Sequence, residues 1–197
     1  MSVNSIDYYN QHSKDFIASS LNVDMSALYA EFTPLLPKHA LILDAGCGTG
    51  RDTKYFIEQG FNVTAIDASK ELVEFATNHI AQPVIHKTFM QIDDTNIYDG
   101  IWCCASLLHV PKSELSTVFT KLATALKANG ILYVSFKYGD TERVHNGREF
   151  TDLTEHGLQH IISAQPSLCI SKHWITGDQR TERGHEQWLN AIIRKEP

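Results

Sequence analysis

The stretch Leu41-Ile-Leu-Asp-Ala-Gly-Cys-Gly-Thr-Gly50 reads as a buried strand that runs straight into a turn where three glycines alternate with small residues. Glycine at alternate positions lets a backbone loop pass close to a ligand with no Cβ in the way. A helix starting there aims its free N–H groups at the same place. A second apolar run, Phe61-Asn-Val-Thr-Ala-Ile-Asp67, closes on an acid. An acidic residue one strand–helix unit further on suits a ribose diol, whose two hydroxyls both seek an acceptor. Together the two segments describe a nucleoside site.

Spacing narrows the nucleoside. A dinucleotide fingerprint runs G-x-G-x-x-G; here Gly46 and Gly48 fit, but Arg51 takes the third place and Gly50 comes one residue early. That argues against a nicotinamide or flavin dehydrogenase. The pattern Asp44-Ala-Gly46-Cys-Gly48-Thr-Gly50 instead resembles the first motif of the class I S-adenosylmethionine-dependent methyltransferases, in which an acid precedes a G-x-G-x-G turn that holds the methionine end of the cofactor. The run Tyr98-Asp-Gly-Ile-Trp-Cys-Cys-Ala-Ser-Leu-Leu-His-Val-Pro111 is similar to the fourth-strand motif of small-molecule methyltransferases of the tellurite-resistance and ubiquinone-biosynthesis types. The resemblance covers nearly the whole chain and is most specific over 41–67 and 99–111.

Outward from this block the chain alternates. Residues 5–36 read as helical, with Met25, Leu28, Tyr29, Phe32 and Leu36 on one face, Asp24 as N-cap, and Pro34 and Pro37 as the stop. Strand Leu41–Ala45 leads to a helix over Arg51–Gln59, strand Asn62–Asp67 to a helix over Lys70–His79 capped by Ser69, and a short strand follows at Val84–His86. After Tyr98–Ala105 comes a helix with Leu115, Val118, Phe119, Leu122 and Leu126 on one face, ended by Asn129-Gly130, then strand Ile131–Lys137. A helix near Asp152–Ala164 precedes two strand-like runs, Leu168–Thr176 and Gln187–Arg194, read as an antiparallel pair at the sheet edge. Such alternation implies a parallel α/β sheet. The fold expected is doubly wound, mostly parallel and seven-stranded, with an antiparallel last strand. It forms a single domain over 1–197, with 1–36 as a helical lid on an α/β core of 37–197.

The resemblance implies S-adenosylmethionine as cofactor and S-adenosylhomocysteine as product. It places Gly46, Cys47, Gly48 and Gly50 around the methionine part, Asp67 on the ribose hydroxyls, and Ala68 and Ser69 beside adenine. Asp44 lies behind the loop, receiving loop N–H groups or a water. Many relatives carry an acid near the adenine; here Phe89 and Met90 stand in the equivalent stretch and are expected to stack on the base. Cys103, Cys104 and Ser106 fall near the sulfonium, and Tyr9, with Tyr8, covers the cofactor.

His109, just beyond, is the candidate general base, because an unperturbed imidazole titrates near pH ~6.5. The alternative, a histidine capping a helix or packing beneath the loop, stays open. Two later loops hold Arg143, His145 and Arg148, and Arg180, Arg183 and His185. The arginines are expected to bind an anionic acceptor if both preceding strands are parallel. The interleaved Asp140, Glu142, Glu149, Asp178 and Glu182 instead favour surface ion pairs.

Composition bounds the partners. A net charge of −6 over 197 residues argues against a general nucleic-acid binder. The four cysteines show no zinc spacing and no disulfide framework, so no metal site is expected. No apolar run approaches a membrane span, which points to a cytoplasmic monomer or homodimer. A small-molecule methyltransferase is the leading reading. A methyltransferase acting on protein or transfer RNA, and a non-catalytic S-adenosylmethionine-binding module, stand beside it.

Overall fold

A computed structural model of the chain describes residues 3–180 and 186–197. One sheet organises it. Five parallel strands, β1 (Leu41–Ala45), β2 (Asn62–Asp67), β3 (Val84–His86), β4 (Tyr98–Cys103) and β5 (Leu126–Lys137), are joined by β8 (Leu168–Gly177) and β9 (Gln187–Lys195) in the order β3-β2-β1-β4-β5-β9-β8. Strand β9 runs antiparallel to both of its neighbours, so β8 points the same way as the other five. The expected seven-stranded sheet with its antiparallel strand is therefore present.

Helices cover both faces. On one side lie α3 (Ser26–Phe32), α4 (Arg51–Glu58) and α5 (Lys70–Ile80). There Phe32 and Phe56 pack against Trp102, which stacks on Tyr133 at 3.9 Å. On the other side α6 (Lys112–Ala125) and α7 (Glu155–Ser163) bury Leu115, Val118, Phe119, Leu122, Leu158 and Ile162 against the sheet. Both strand faces being covered explains why the strand sequences are continuously apolar rather than alternating.

Three local expectations are corrected. Residues 5–36 are not one helix but α1 (Val3–Gln11), α2 (Ser13–Ser20) and α3, followed by a short turn of tighter helix at Thr33–Leu35. The backbone breaks at His12, and the Asp24 carboxylate takes the Ser26 N–H at 2.8 Å, which starts α3 one residue later than an Asp24 cap would. Asn129-Gly130 does not end α6; it lies inside β5 as an irregularity opposite Asp99, with Asn129 at φ +62°. Residues 138–150 are not a plain loop. They contain a hairpin, β6 (Glu142–His145) and β7 (Arg148–Thr151), whose turn Asn146-Gly147 has both φ angles positive. Asn-Gly between two short strands is a strong hairpin signal.

Candidate active site

Strand order reverses between β1 and β4, where an open α/β sheet leaves a crevice beyond the carboxyl ends of its strands. The loop after β1 is built for close approach. Gly46 sits at φ +81°, and a Cβ there would stand 2.5 Å from Ser106 Cβ, while the Ser106 hydroxyl donates to the Ala45 carbonyl at 2.8 Å. Gly46 and Cys47 N–H both donate to the Ile66 carbonyl, and Gly48 N–H donates to the Asp67 carboxylate at 2.9 Å. Gly50 serves a different purpose. A Cβ there would lie 2.9 Å from Ile80 and 3.2 Å from Ala76, so its lack of a side chain lets α5 pack on the loop.

Beyond this loop a cavity of about 150 Å³ runs from Gly46, Cys47, Gly48 and Thr49 past Cys104 and Ala105 to the rim formed by β5, β8 and β9. Tyr9, His109, Arg148 and Arg180 are on its wall, as are Lys137, Trp188 and Asn190, which the sequence reading left out. A smaller space, about 10 Å³, opens on the other side of Gly46 among Ala68, Lys87, Thr88 and Phe89. Asp67 is buried and lines neither space, its second oxygen taking the Ser69 N–H at 2.8 Å; burial raises its pKa against the pull of these hydrogen bonds.

Several expected residues are not brought to the cavity. Cys103 is buried in the core beneath β4, and Ser106 props the glycine loop from below. Met90 is 41% exposed, away from both spaces, whereas its neighbour Phe89 is buried beside Ala68. Arg143 pairs with Asp152 at 2.7 Å and leans on the Phe150 ring, so it does not face the cavity. Arg183 and His185 lie outside the described residues. Asp44 accepts from the Thr53 hydroxyl at 2.6 Å rather than from a loop N–H.

Asp52 is the site residue that sequence reasoning missed. Its buried carboxylate takes two hydrogen bonds from Arg51, one from the Tyr29 hydroxyl at 2.6 Å and one from the Trp102 indole at 2.8 Å. These partners hold its pKa below the usual carboxylate range although burial pushes the other way. Asp44 nearby is raised, first by burial and then by the Asp52 charge. The only available signal was an acid in the first turn of α4, where it also suits the helix dipole.

His109 is fully engaged. Its Nδ1 lies 2.7 Å from the Glu149 carbonyl oxygen, a position only an N–H can hold, so Nε2 is the acceptor and takes the Tyr9 hydroxyl proton at 2.8 Å. Burial pushes the imidazole down to about 3, with Arg148 acting in the same sense against the bond to Glu149. Burial likewise raises the Tyr9 phenol and the Cys47 and Cys104 thiols.

The N-terminal helices close the site from above. Asn10 on α1 accepts from the Ser69 hydroxyl at 2.8 Å, and Phe16 on α2 lies 3.2 Å from where a Gly48 Cβ would stand. Tyr9 meets Phe16 edge to face. Among the described residues no group of three or more His, Cys, Asp or Glu could hold a metal ion.

This combination of sheet order, glycine turn and acidic end of β2 defines the Rossmann-like fold of class I S-adenosylmethionine-dependent methyltransferases. Residues 42–130 match a family model described as a methyltransferase domain, and in sequence and fold the chain is similar to that class. Over 119 residues it is 35% identical to YqeM of Bacillus subtilis (strain 168), covering 53% of this chain and 47% of that protein. Over 99 residues it is 34% identical to the ubiquinone biosynthesis O-methyltransferase of Rickettsia typhi (strain ATCC VR-144 / Wilmington), covering 48% and 39%. The matches thus span under half the length of these curated relatives. In three dimensions the chain is similar over its full length to 92% of the Burkholderia thailandensis 1,6-didemethyltoxoflavin-N1-methyltransferase, solved with 1,6-didemethyltoxoflavin and S-adenosylhomocysteine, at a TM-score of 0.75. Identity there is 23%, which carries the fold alone.

Proposed function

We propose that this chain binds S-adenosylmethionine and transfers its methyl group to a small-molecule acceptor. The observation that carries the reading is the cavity lined at one end by the glycine turn Gly46–Thr49 and at the other by the β5–β9–β8 rim. The sequence relatives support it in kind, including O-methyltransferases by name.

The residues present fit the cofactor. Three buried acids, Asp44, Asp52 and Asp67, lie around the glycine loop, with Asp52 already paired with Arg51. The Asp67 carboxylate, at the end of β2, accepts from the Gly48 and Ser69 N–H groups and is the acceptor offered to a diol on this reading. Ala68 and Phe89 line the small space on the far side of Gly46, the side where the resemblance puts adenine. When bound, the cofactor supplies an electrophilic methyl whose transfer dissipates positive charge. The chain's part is then positioning and exclusion of water, which can supply most of the rate.

His109 is a positioning residue on this reading. A neutral imidazole held at both nitrogens is poorly placed to take an acceptor proton; it fixes the Tyr9 hydroxyl at the cavity wall instead. An acceptor that arrives already ionised needs no base. The reading takes the chain as a cytoplasmic monomer or homodimer; its four free cysteines suit a reducing compartment.

Calorimetry tests the cofactor: S-adenosylhomocysteine should bind and a nicotinamide dinucleotide should not. Asp67→Ala should weaken binding by about 1–3 kcal/mol, the cost of losing a charged acceptor and leaving donors unpaired. Tight dinucleotide binding with no heat from S-adenosylhomocysteine overturns the proposal. Transfer of labelled methyl from S-adenosylmethionine into a metabolite extract then separates an enzyme from a binding module.

A further inference from the structure

Four cations lie on the wall of the main cavity, and three are neutralised within the protein. Arg51 is held by Asp52, Arg180 by Asp178 at 2.6 Å, and Lys137 by Glu186. Arg148 is the exception: among the described residues no carboxylate stands within ion-pair distance of it, and its Nε is buried without a hydrogen-bond partner. A buried donor left unmade is costly, and a charged one more so. Its place is nonetheless well built. The guanidinium carbon sits 4.6 Å from the centre of the Tyr8 ring and 5.2 Å from that of Phe150, so the plane is fixed between aromatic faces that cannot quench its charge.

The hairpin sets this geometry. Arg148 and Phe150 share one face of β7, while Glu149 between them anchors the strand, donating its N–H to the Ser5 hydroxyl oxygen and accepting from His109 Nδ1 through its carbonyl. Aromatic side chains on the same cavity wall are Tyr9, Phe16, Phe150 and Trp188, beside the polar Lys137 and Asn190.

We infer that the methyl acceptor is a planar, anionic small molecule, a ring bearing a carboxylate or an ionised hydroxyl, with its negative group on Arg148 and its ring among Tyr9, Phe16 and Phe150. This rests on the proposed methyltransferase reading and names its substrate class. The planar fork of Arg148 takes both oxygens of a carboxylate, and the aromatic walls exclude water from the pair.

The test is calorimetric, on the full chain saturated with S-adenosylhomocysteine and again without it. Benzoate and 2-hydroxybenzoate are titrated against benzamide and 2-hydroxybenzamide, their neutral matches in shape. Each acid should bind at least 10-fold tighter than its amide; Arg148→Met should erase that preference while leaving amide binding in place, and Arg143→Met should keep it. Equal binding of acid and amide to the wild type, no binding of either acid, or a preference that survives Arg148→Met, each overturns the inference. A chain that binds S-adenosylhomocysteine without preferring the acids refutes only the acceptor class. A chain that prefers the acids but takes no S-adenosylhomocysteine refutes the methyltransferase reading instead.

Discussion

The Tyr9 hydroxyl donates to His109 Nε2 across 2.8 Å, joining the first helix of the chain to the turn after β4. That bond changes the chemistry of both groups. Its imidazole stays neutral through the physiological range, and its phenol is held at the cavity wall beside Arg148.

Kinetics should register this. With an acceptor in hand, His109→Gln should keep kcat within about 10-fold of wild type, since an amide can donate to the Glu149 carbonyl and accept from Tyr9, whereas loss of a general base costs about 10²–10⁴-fold. The wild-type rate should also show no ionisation near pH 6–7 attributable to His109. A loss of kcat by a hundredfold or more with cofactor affinity intact would restore the imidazole as base.

The same imidazole makes stability depend on pH. Its pKa is about 3 folded against an ordinary 6.5, so the unfolded chain binds the proton first as pH falls. Its contribution is present above pH 6.5 and is lost between there and pH 3. From pH 7.5 to 5 the wild type should lose about 2 kcal/mol relative to His109→Gln, measured by urea unfolding of both at each pH. Comparing the two cancels the opposing influence of Asp44 and Asp67, whose raised pKa values favour the folded state at lower pH. Parallel curves would mean that His109 is not buried in the neutral form.

How far the sequence could be read depends on where each residue's partners lie. Leu41–Ala45, Asn62–Asp67 and Val84–His86 were legible to the residue because each apolar run is bounded by turn chemistry within its own sequence. The turn at Gly46 and the strand end at Asp67 were legible for the same reason. Asp52 was not: its importance comes from Tyr29 and Trp102, 23 and 50 positions away. Arg143 and Arg148 look alike in sequence, yet on opposite strands of the hairpin one meets Asp152 and the other the cavity. The break of the N-terminal segment into three helices depends on docking over Gly48 and Ser69, which no local periodicity encodes.

The glycines of the loop should separate by what their missing Cβ would meet. Gly46→Ala combines a left-handed backbone at φ +81° with a Cβ 2.5 Å from Ser106, and should cost about 3 kcal/mol, summing backbone strain and overpacking. Gly60→Ala shares the strain, at φ +84°, with nothing within 4 Å, and should cost only about 1 kcal/mol. Denaturant unfolding of the two variants measures the gap. Similar losses would show that the Ser106 contact relaxes freely.

Asp52→Asn should be among the most damaging single changes outside the glycine loop. It leaves Arg51 partnered only by the Ser20 carbonyl and weakens the acceptor for Tyr29 and Trp102, and breaking a buried ion pair from one side costs about 3–5 kcal/mol. A fall of several degrees or more in thermal midpoint is expected, with little change when Asp93, whose pair with Lys87 is exposed, is altered to Asn. Equal midpoints for the two variants would place the Asp52 network among the dispensable surface pairs.

On the proposed function, the N-terminal helices are expected to move for the cofactor to enter. Phe16 lies against Gly48 and Asn10 against Ser69, and the remaining cavity, about 150 Å³, is smaller than the roughly 300 Å³ at which ligand sites begin. Opening of α1 and α2 therefore gates binding, a kind of motion that runs on microseconds to milliseconds. Phe16→Ala should raise both the association and the dissociation rate of S-adenosylhomocysteine in stopped-flow fluorescence, because the change removes packing from the closed form. Hydrogen exchange across residues 3–20 should slow when the ligand is bound, as the helices re-close over it. Unchanged rates in Phe16→Ala together with unchanged exchange in that segment would make α1 and α2 a fixed wall, and entry would then have to run along the β5–β8 rim past Arg180.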